Sequence, residues 1–233
     1  MATKYTYFFI LFASLIGPLL LSFDRKVAFY KKWKYLFPAM LLPAAFYIVW
    51  DIYFTAHAVW QFNPSFITGI KIVNLPVEEV LFFFIVPYCC MFIYECVRCY
   101  FPSLKDGRAA SLLLKIIGVL LFVTGSIFFN RLYTGYTFVL TGIAIAVLFL
   151  FREYFIKFHV TAFFISFLIS LLPFLIVNGF LTAIPVVIYN DQENLGVRIY
   201  TIPFEDVFYG MLMLLMNVAI YERIKSGNSK MAK

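Results

Sequence analysis

Seven long apolar runs leave this chain few folds other than a membrane helix bundle. They cover residues 5–23, 35–55, 76–97, 111–130, 133–151, 159–182 and 203–222. Each is about 20 residues long, the length with which an α-helix crosses the hydrocarbon core of a bilayer. Their apolar sequence is continuous, unlike the alternating pattern of outer-membrane barrel strands. We therefore predict an all-α, polytopic membrane helix bundle with seven transmembrane helices.

Composition and the first run support an integral membrane protein. Only 13% of the residues are charged, against about 25% in soluble domains. The first run is too long for the apolar region of a signal peptide, and no A-x-A-type cleavage site follows it. We read it as a retained span, and we expect the protein in the cell (inner) membrane.

Basic residues concentrate in alternate loops, and this predicts the orientation of the spans. One set of loops and the C-terminal tail hold Arg25, Lys26, Lys31, Lys32, Lys34, Arg98, Lys105, Arg108, Arg152, Lys157, Arg223, Lys225, Lys230 and Lys233. The opposite side holds only Lys4, Lys71, Arg131 and Arg198. The positive-inside rule then places the N-terminus outside and the C-terminus in the cytoplasm. The net charge of +7 is thus a topology signal, and no nucleic-acid partner is expected.

The chain contains an internal repeat. "GIKIVNLPVEEVLF" (69–82) matches "GVRIYTIPFEDVFY" (196–209) at an offset of 127 residues, and "IYE" recurs at 93–95 and 220–222. The second spans match less cleanly, since Pro43 and Pro173 are 130 residues apart. We predict repeat one at 1–100, a linking span at 101–131 and repeat two at 132–233.

Three spans per repeat and one linking span make a parallel 3+1+3 arrangement. Both copies then run in the same sense across the membrane. The two acidic motifs consequently lie at the same depth, at the outer ends of spans three and seven, and face a shared interface.

Each copy of the motif places two acids at the start of a membrane helix. These are Glu78 and Glu79 in repeat one and Glu205 and Asp206 in repeat two, and we take all four as candidate catalytic residues. Adjacent helix positions lie about 100° apart, so one acid of each pair should face the bundle while the other supports it or meets water. The alternative is a pair of acids that cap helices at the lipid–water interface.

Further residues are expected to support this site or to bind substrate. Pro76 and Pro203 suit the first turn of a helix, where a missing N–H costs nothing. Asp51 and Asn178 lie near the outer ends of spans two and six; Asp51 could instead stabilise the fold by pairing with Lys71. The aromatic residues nearest the acids, which we expect to bind substrate, are Trp50, Phe82, Phe208 and Tyr209.

Other polar groups are assigned structural roles. Tyr94–Glu95 and Tyr221–Glu222 lie at the inner ends of spans three and seven, where tyrosine is a common membrane anchor. Cys96 and Cys99 form a C-x-x-C, but no second pair completes a metal site, so no metal is expected. No G-x-G-x-x-G follows a strand, and span seven has no central lysine for a retinal Schiff base.

Carboxyl groups among aromatic rings suit a proton-initiated reaction of a hydrocarbon. An acid adds a proton to a C=C bond, aromatic faces stabilise the cation, and a second carboxylate removes a proton elsewhere. The reaction balance requires no cofactor, although a flavin or nicotinamide acting non-stoichiometrically stays open. The alternatives are a small membrane transporter with parallel three-helix repeats and a non-catalytic scaffold.

The duplicated P-x-E-[ED] motif, the "WD" at 50–51 and the three spans per copy resemble the membrane lycopene cyclases of carotenoid biosynthesis. In that family two small homologous subunits act together or are fused, and this sequence looks like a fused form. The resemblance implies an intramolecular lyase that forms β-ionone rings on lycopene within the bilayer, in contact with membrane lipid. It implies that the four motif acids are essential.

Two expectations about the roles of the acids follow from this resemblance. We expect Glu78 or Glu205 to donate the proton, so that Glu→Gln at either position abolishes cyclisation. "IVWD" in repeat one reads "IVNG" (176–179) in repeat two, so the halves are not equivalent if Asp51 takes part. The donor, the ring type, the number of cyclised ends and a homo-oligomeric state stay open.

Overall fold

The computed structural model describes residues 3–231, and helices make up most of this part of the chain. The helices are α1 (Thr6–Leu21), α2 (Trp33–Ala56), α3 (Val77–Tyr100), α4 (Arg108–Ile127), α5 (Leu132–Leu150), α6 (Val160–Ala183) and α7 (Glu205–Met231). The prediction of a helical membrane protein is confirmed. Six helices are long and apolar enough to cross a bilayer, and α1, with 16 residues, is shorter. Residues 1, 2, 232 and 233, at the ends of the predicted repeats, lie outside the described part.

Short strands, which the sequence analysis did not predict, fill the two loops at one end of the bundle. They are β1 (Trp60–Phe62), β2 (Lys71–Ile72), β3 (Leu75–Pro76), β4 (Val187–Tyr189), β5 (Arg198–Ile199) and β6 (Ile202–Pro203). β2 pairs with β3 and β5 pairs with β6 in two small antiparallel hairpins. Each hairpin leads directly towards a helix that begins with an acidic motif.

The strands β1 and β4 join the two halves of the molecule. They pair antiparallel, with Gln61 opposite Ile188, and these two residues are 127 positions apart. The same exchange continues beyond the strands: the N–H of Asn63 donates to Val186 O, and the N–H of Asn190 donates to Val59 O, both at 2.9 Å. Equivalent segments thus make reciprocal contacts, the pattern found where two units meet at a two-fold axis.

The repeat keeps its offset of 127 residues through the second helix of each half. α2 begins and ends 127 positions before α6, so the 130-residue spacing of Pro43 and Pro173 reflects substitution within equivalent helices and not a shift. On this offset Asp51 corresponds to Asn178. The alignment of "IVWD" with "IVNG" is therefore wrong by one residue, because the helix ends set the register.

The two motif prolines precede their helices instead of occupying the first turn. Pro76 ends β3 and is the N-cap residue of α3, with ψ at 144°. Pro203 ends β6, two positions before α7 begins. Both prolines pair in their hairpins with residues of the preceding strand, so the chain is still extended at these positions.

Close contact between α4 and α5 anchors the helix that links the halves. A Cβ atom on Gly142 of α5 would lie 2.8 Å from Gly118 O and 2.8 Å from Phe122 Cβ of α4. Small residues let membrane helices approach in this way and gain van der Waals contact. The outer face of α4 presents Leu112, Val119 and Ile127, so this helix lies at the edge of the bundle.

Candidate active site

Three carboxyl groups from three helices line one small pocket at the strand-bearing end of the bundle. They belong to Asp51 of α2, Glu79 of α3 and Asp206 of α7, and all three side chains are buried. The cavity has a volume of about 30 Å³, room for a water molecule or two and not for a substrate. The rest of its lining is Tyr7, Trp60, Phe62, Phe82, Tyr133, Phe174, Asn178, Leu181, Val187, Tyr189 and Tyr209.

Tyrosines hold two of these carboxyl groups in place. The hydroxyl of Tyr7 donates to Glu79 Oε2 at 2.5 Å. Asp206 accepts two such bonds, one from Tyr133 at Oδ1 and one from Tyr189 at Oδ2, the latter at 3.0 Å. Hydrogen bonds to a charged group are among the strong ones in proteins, so these contacts define where the two carboxyl groups point.

Tyr189 lies in β4, outside the helices, and its environment keeps it a donor. Burial raises the pKa of its phenol well above the usual value, and the nearby charge of Asp206 raises it further. The phenol therefore keeps its proton at neutral pH, and Tyr189 supports Asp206 by donating a hydrogen bond through that proton.

The other acid of each motif binds the loop in front of its own helix. Glu78 Oε1 accepts the backbone N–H of Thr68 at 2.7 Å. Glu205 Oε1 accepts the equivalent N–H of Leu195 at 2.8 Å and the hydroxyl of Thr134 at 2.6 Å. Each motif thus sends one acid into the pocket and one into the loop, the division expected of neighbouring positions on a helix.

Asp51 lies in the pocket without a counter-ion. Its Oδ2 atom is buried and has no hydrogen-bond partner among the described residues, and its side chain is 1% exposed. Lys71, the alternative partner, is exposed in β2, and the ion pairs formed by residues 3–231 do not include it. Asn178, the counterpart of Asp51 in the second half, lines the same pocket.

The predicted aromatic residues divide between the pocket and its surroundings. Phe82 and Tyr209 line the pocket. Trp50 packs behind Tyr209, with ring centroids 5.2 Å apart. Phe208 lies elsewhere, since its ring packs edge-on against Phe138 at 5.3 Å.

The tyrosines that contact the acids were not among the predicted site residues. Tyr7 and Tyr133 occupy equivalent places, because each donates its backbone N–H to the loop before the acidic motif of its own half: Tyr7 donates to Phe66 O and Tyr133 to Glu193 O. Their spacing of 126 residues, one short of the repeat offset, hid them from the alignment. Tyr189, in β4, reaches Asp206 from the loop that precedes α7.

A large apolar groove opens beside the pocket, between α1, α3 and α6. Its volume is about 590 Å³, within the range of ~300–1,000 Å³ typical of ligand sites. Phe174 of α6 belongs to the walls of both the groove and the acid pocket. The side chains of Cys89 and Cys90 also line the groove.

The cysteines are free thiols along α3. Among residues 3–231, no group of three histidine, cysteine or acidic side chains is arranged to hold a metal ion. The C-x-x-C at Cys96 and Cys99 lies on the helix remote from the acid pocket, and both thiols are partly buried against the core.

Comparison with known proteins places this arrangement in a family. The sequence model described as "Lycopene cyclase" matches residues 4–97 and 130–224, and the two segments confirm the internal repeat. A stretch of 54 residues is 40% identical to a bifunctional lycopene cyclase/phytoene synthase from Aspergillus niger. This stretch is 21% of the present chain and 9% of the fungal protein, and no solved structure matches the chain.

These matches agree with the resemblance drawn from the duplicated motif, and they disfavour the transporter alternative. The two segments cover well over half of the chain and include both acidic motifs. The protein belongs to the lycopene cyclase family.

Proposed function

We propose that this chain is a lycopene β-cyclase of the inner cell membrane that closes the ψ-ends of lycopene into β-ionone rings. The observation that carries the proposal is the convergence of both acidic motifs on one pocket. Glu79 and Asp206 come from different halves, yet their carboxyl groups line the same buried, aromatic-walled space. That geometry suits a reaction in which a proton enters at one carbon and leaves from another.

The reaction begins when a carboxylic acid adds its proton to the terminal double bond of the substrate. The resulting cation is attacked by a neighbouring double bond, and the six-membered ring closes. A carboxylate then removes a proton from the ring, which restores a double bond. One proton enters and one leaves, so the reaction is an isomerisation and its balance needs no redox cofactor.

We assign the donor role to Glu79 and the acceptor role to Asp206. Glu79 accepts one tyrosine hydrogen bond, and it shares its face of α3 with Val86 of the groove, about two turns away. Asp206 accepts two tyrosine bonds, and these donors stabilise a carboxylate better than one does. Asp51 is buried in the same pocket with no hydrogen bond at its Oδ2 atom, so this carboxyl oxygen can face the cation.

Glu78 and Glu205 then act as positioning residues. Each holds the loop before its helix through a backbone N–H. The loops carry β1 and β4, which close the pocket with Trp60 and Tyr189. The proton-donor role expected for Glu78 or Glu205 thus passes, in this proposal, to their neighbours.

For the membrane arrangement we propose seven spans in the parallel 3+1+3 order, with repeats at 1–100 and 132–233 joined through 101–131. Contacts at both ends of α1 support its role as a span. Tyr7 reaches Glu79 at the start of α3, and Ser22, beyond the last residue of α1, bonds Tyr88 at 2.6 Å. α1 therefore runs beside α3 in the same direction. The basic loops lie at the opposite end of the bundle, and by the positive-inside rule the strand-bearing end then faces the outside.

Expression in a lycopene-accumulating host, followed by chromatography of the pigments, tests the activity. The wild-type chain should convert lycopene to products with β-rings. Glu79→Gln and Asp206→Asn should each reduce conversion at least 100-fold, because the amides can neither donate nor accept the reacting proton. Glu78→Gln and Glu205→Gln are the matched controls and should keep most of the activity, since the amide oxygen can still accept the loop N–H.

Membrane-inserted protein must be quantified for every variant. Unchanged lycopene in the presence of inserted wild-type protein would refute the cyclase. Full activity of both Glu79→Gln and Asp206→Asn would refute the assignment of the acids and leave the cyclase standing.

A further inference from the structure

The groove between α1, α3 and α6 opens sideways, towards the lipid. Phe9 on α1 and Phe180 on α6 are 63% and 55% exposed at its rim, and Ala13 between them is also exposed. The lining contains no charged side chain. A hydrocarbon in the bilayer can therefore enter this groove without passing through water.

Phe174 separates the groove from the acid pocket. Its ring contributes to the walls of both, and the pocket behind it, at about 30 Å³, is too small for a substrate end. A Cβ atom on Gly210 of α7 would lie 3.2 Å from the tip of the Phe174 ring. The absence of a side chain at Gly210 thus makes room for the Phe174 ring. If the ring moved, the groove and the acid pocket would become one cavity.

The repeat relates this groove to a place between α5, α7 and α2, and larger side chains occupy that place. Val86 and Cys89 of the groove correspond, 127 positions on, to Met213 and Met216. Both methionines pack into or against the core cluster around the acid pocket. At the position of Phe174 the first half has Tyr47, which is fully buried and donates a 2.9 Å hydrogen bond to Tyr209 O. The two halves therefore match in their acidic motifs and differ in the side chains that line the approach to the acid pocket from the lipid.

We propose that the α1–α3–α6 groove binds the polyene chain of the linear carotenoid, and that Phe174 is the gate through which one substrate end at a time reaches the acids. The inference rests on the proposed cyclase function and names the site of its substrate. The continuity of groove and pocket through one side chain identifies the occupant as the molecule whose end reacts. A product with two rings then requires the chain to leave and re-enter with its other end.

Binding tests the groove separately from catalysis. The Glu79→Gln protein, expressed in lycopene-containing membranes, is purified and its bound lycopene is measured by absorbance per mole of protein. Adding Ala13→Trp should lower the bound lycopene at least tenfold, because the indole fills the groove. Ala45→Trp is the matched control: Ala45 is exposed on α2 and lies outside the groove, and the indole there should leave binding unchanged.

Three outcomes overturn the groove site. One is equal lycopene in the Ala13→Trp and Ala45→Trp proteins. Another is a phospholipid that co-purifies and is lost with Ala13→Trp while lycopene stays, which would make the groove an acyl-chain site. The third is unchanged cyclisation when Ala13→Trp is introduced into the otherwise wild-type chain. A different result, a wild-type protein that binds lycopene in the groove but does not cyclise it, would refute the cyclase function and leave the groove site standing.

Kinetics test the gate and the order of events. Gly210→Ala pushes on the Phe174 ring and should change kcat more than KM, whereas Ala13→Trp should mainly raise KM. In proteoliposomes, a monocyclic carotenoid should appear free in the bilayer before the dicyclic product, and added unlabelled monocyclic carotenoid should dilute label from the second ring. Label that passes into the dicyclic product undiluted would show that both ends react in one binding event and would overturn the single-gate proposal.

Discussion

The hydroxyl of Tyr221 donates a 2.6 Å hydrogen bond to Glu95 Oε1, and the equivalent pair, Tyr94 and Glu222, repeats this contact at 2.9 Å in the opposite direction. Each bond joins α3 to α7, so the two repeats exchange partners at the end of the bundle remote from the acid pocket. Lys32 and Lys225 add ion pairs to Glu95. The structural role expected for these tyrosine–glutamate pairs is therefore one of joining the halves.

Glu95 contacts more lysines than Glu222 does, so we predict that the two Glu→Gln substitutions lower the stability of the protein by different amounts. Glu95→Gln keeps an acceptor for Tyr221 but loses the charge that attracts two lysines, and we expect a loss of about 1–2 kcal/mol in stability. The lysines are partly exposed, so water limits the effect. Glu222→Gln, with a single lysine at 4.0 Å, should lose less. Thermal unfolding in one detergent measures both, and an equal or larger loss for Glu222→Gln would contradict the reasoning.

The two tyrosines on Asp206 predict a graded effect on turnover. Tyr133→Phe and Tyr189→Phe each remove one donor from the carboxyl group, and each should lower kcat about tenfold, the equivalent of one strong hydrogen bond. Tyr94→Phe is the control, because it removes a similar bond at the far end of the molecule. It should lower stability and leave turnover unchanged; a comparable loss of turnover in this variant would assign all three effects to folding.

Asp51 and Asn178 place a carboxyl group and an amide in one pocket, and we predict that the reaction needs the carboxyl group. Asp51→Asn should reduce cyclisation about 100-fold, because it replaces a carboxyl oxygen that faces the cation with an amide NH2 group. Asn178→Asp introduced into that variant should restore at least part of the activity, since both positions line one pocket. Wild-type conversion rates in Asp51→Asn would show that the third carboxyl group has no part in the reaction.

The contact between α4 and α5 predicts a cost of adding a single methyl group. Gly142→Ala places a carbon 2.8 Å from Gly118 O, and the helices must separate, at a cost of about 1–3 kcal/mol. Gly17→Ala is the matched control, because no atom lies within 4 Å of the Cβ atom it would add. The two midpoints of thermal unfolding should differ by several degrees, and equal midpoints would show that the helices tolerate the separation.

Much of this molecule could be predicted from local sequence. Apolar runs of about 20 residues specify helices because a lipid-exposed backbone must satisfy its own hydrogen bonds. The seven predicted runs overlap the seven helices of the described part. The identity of the acids was visible as well, because a charged residue inside a membrane segment is costly and its recurrence at the same offset is informative.

The strands and the tyrosines could not be predicted in this way. Trp60–Phe62 and Val187–Tyr189 are three residues each, too short for a period to show, and they are extended because they pair with each other. Tyr7 and Tyr133 look like ordinary interfacial aromatics in the sequence. Their function as donors exists only because the first and third helices of each half lie side by side.

The helical membrane fold, the duplication, the family and the four acids of the two motifs could be read from the sequence, because they depend on hydrophobicity and on residue identity at fixed spacing. The acid of each pair that faces the pocket is set by the packing of the helices, since Glu78 and Glu79 differ by a rotation of about 100° on one helix. Packing also brings Asp51 into the same pocket and places Phe174 between that pocket and the apolar groove. Those properties arise from side-chain packing between helices far apart in sequence.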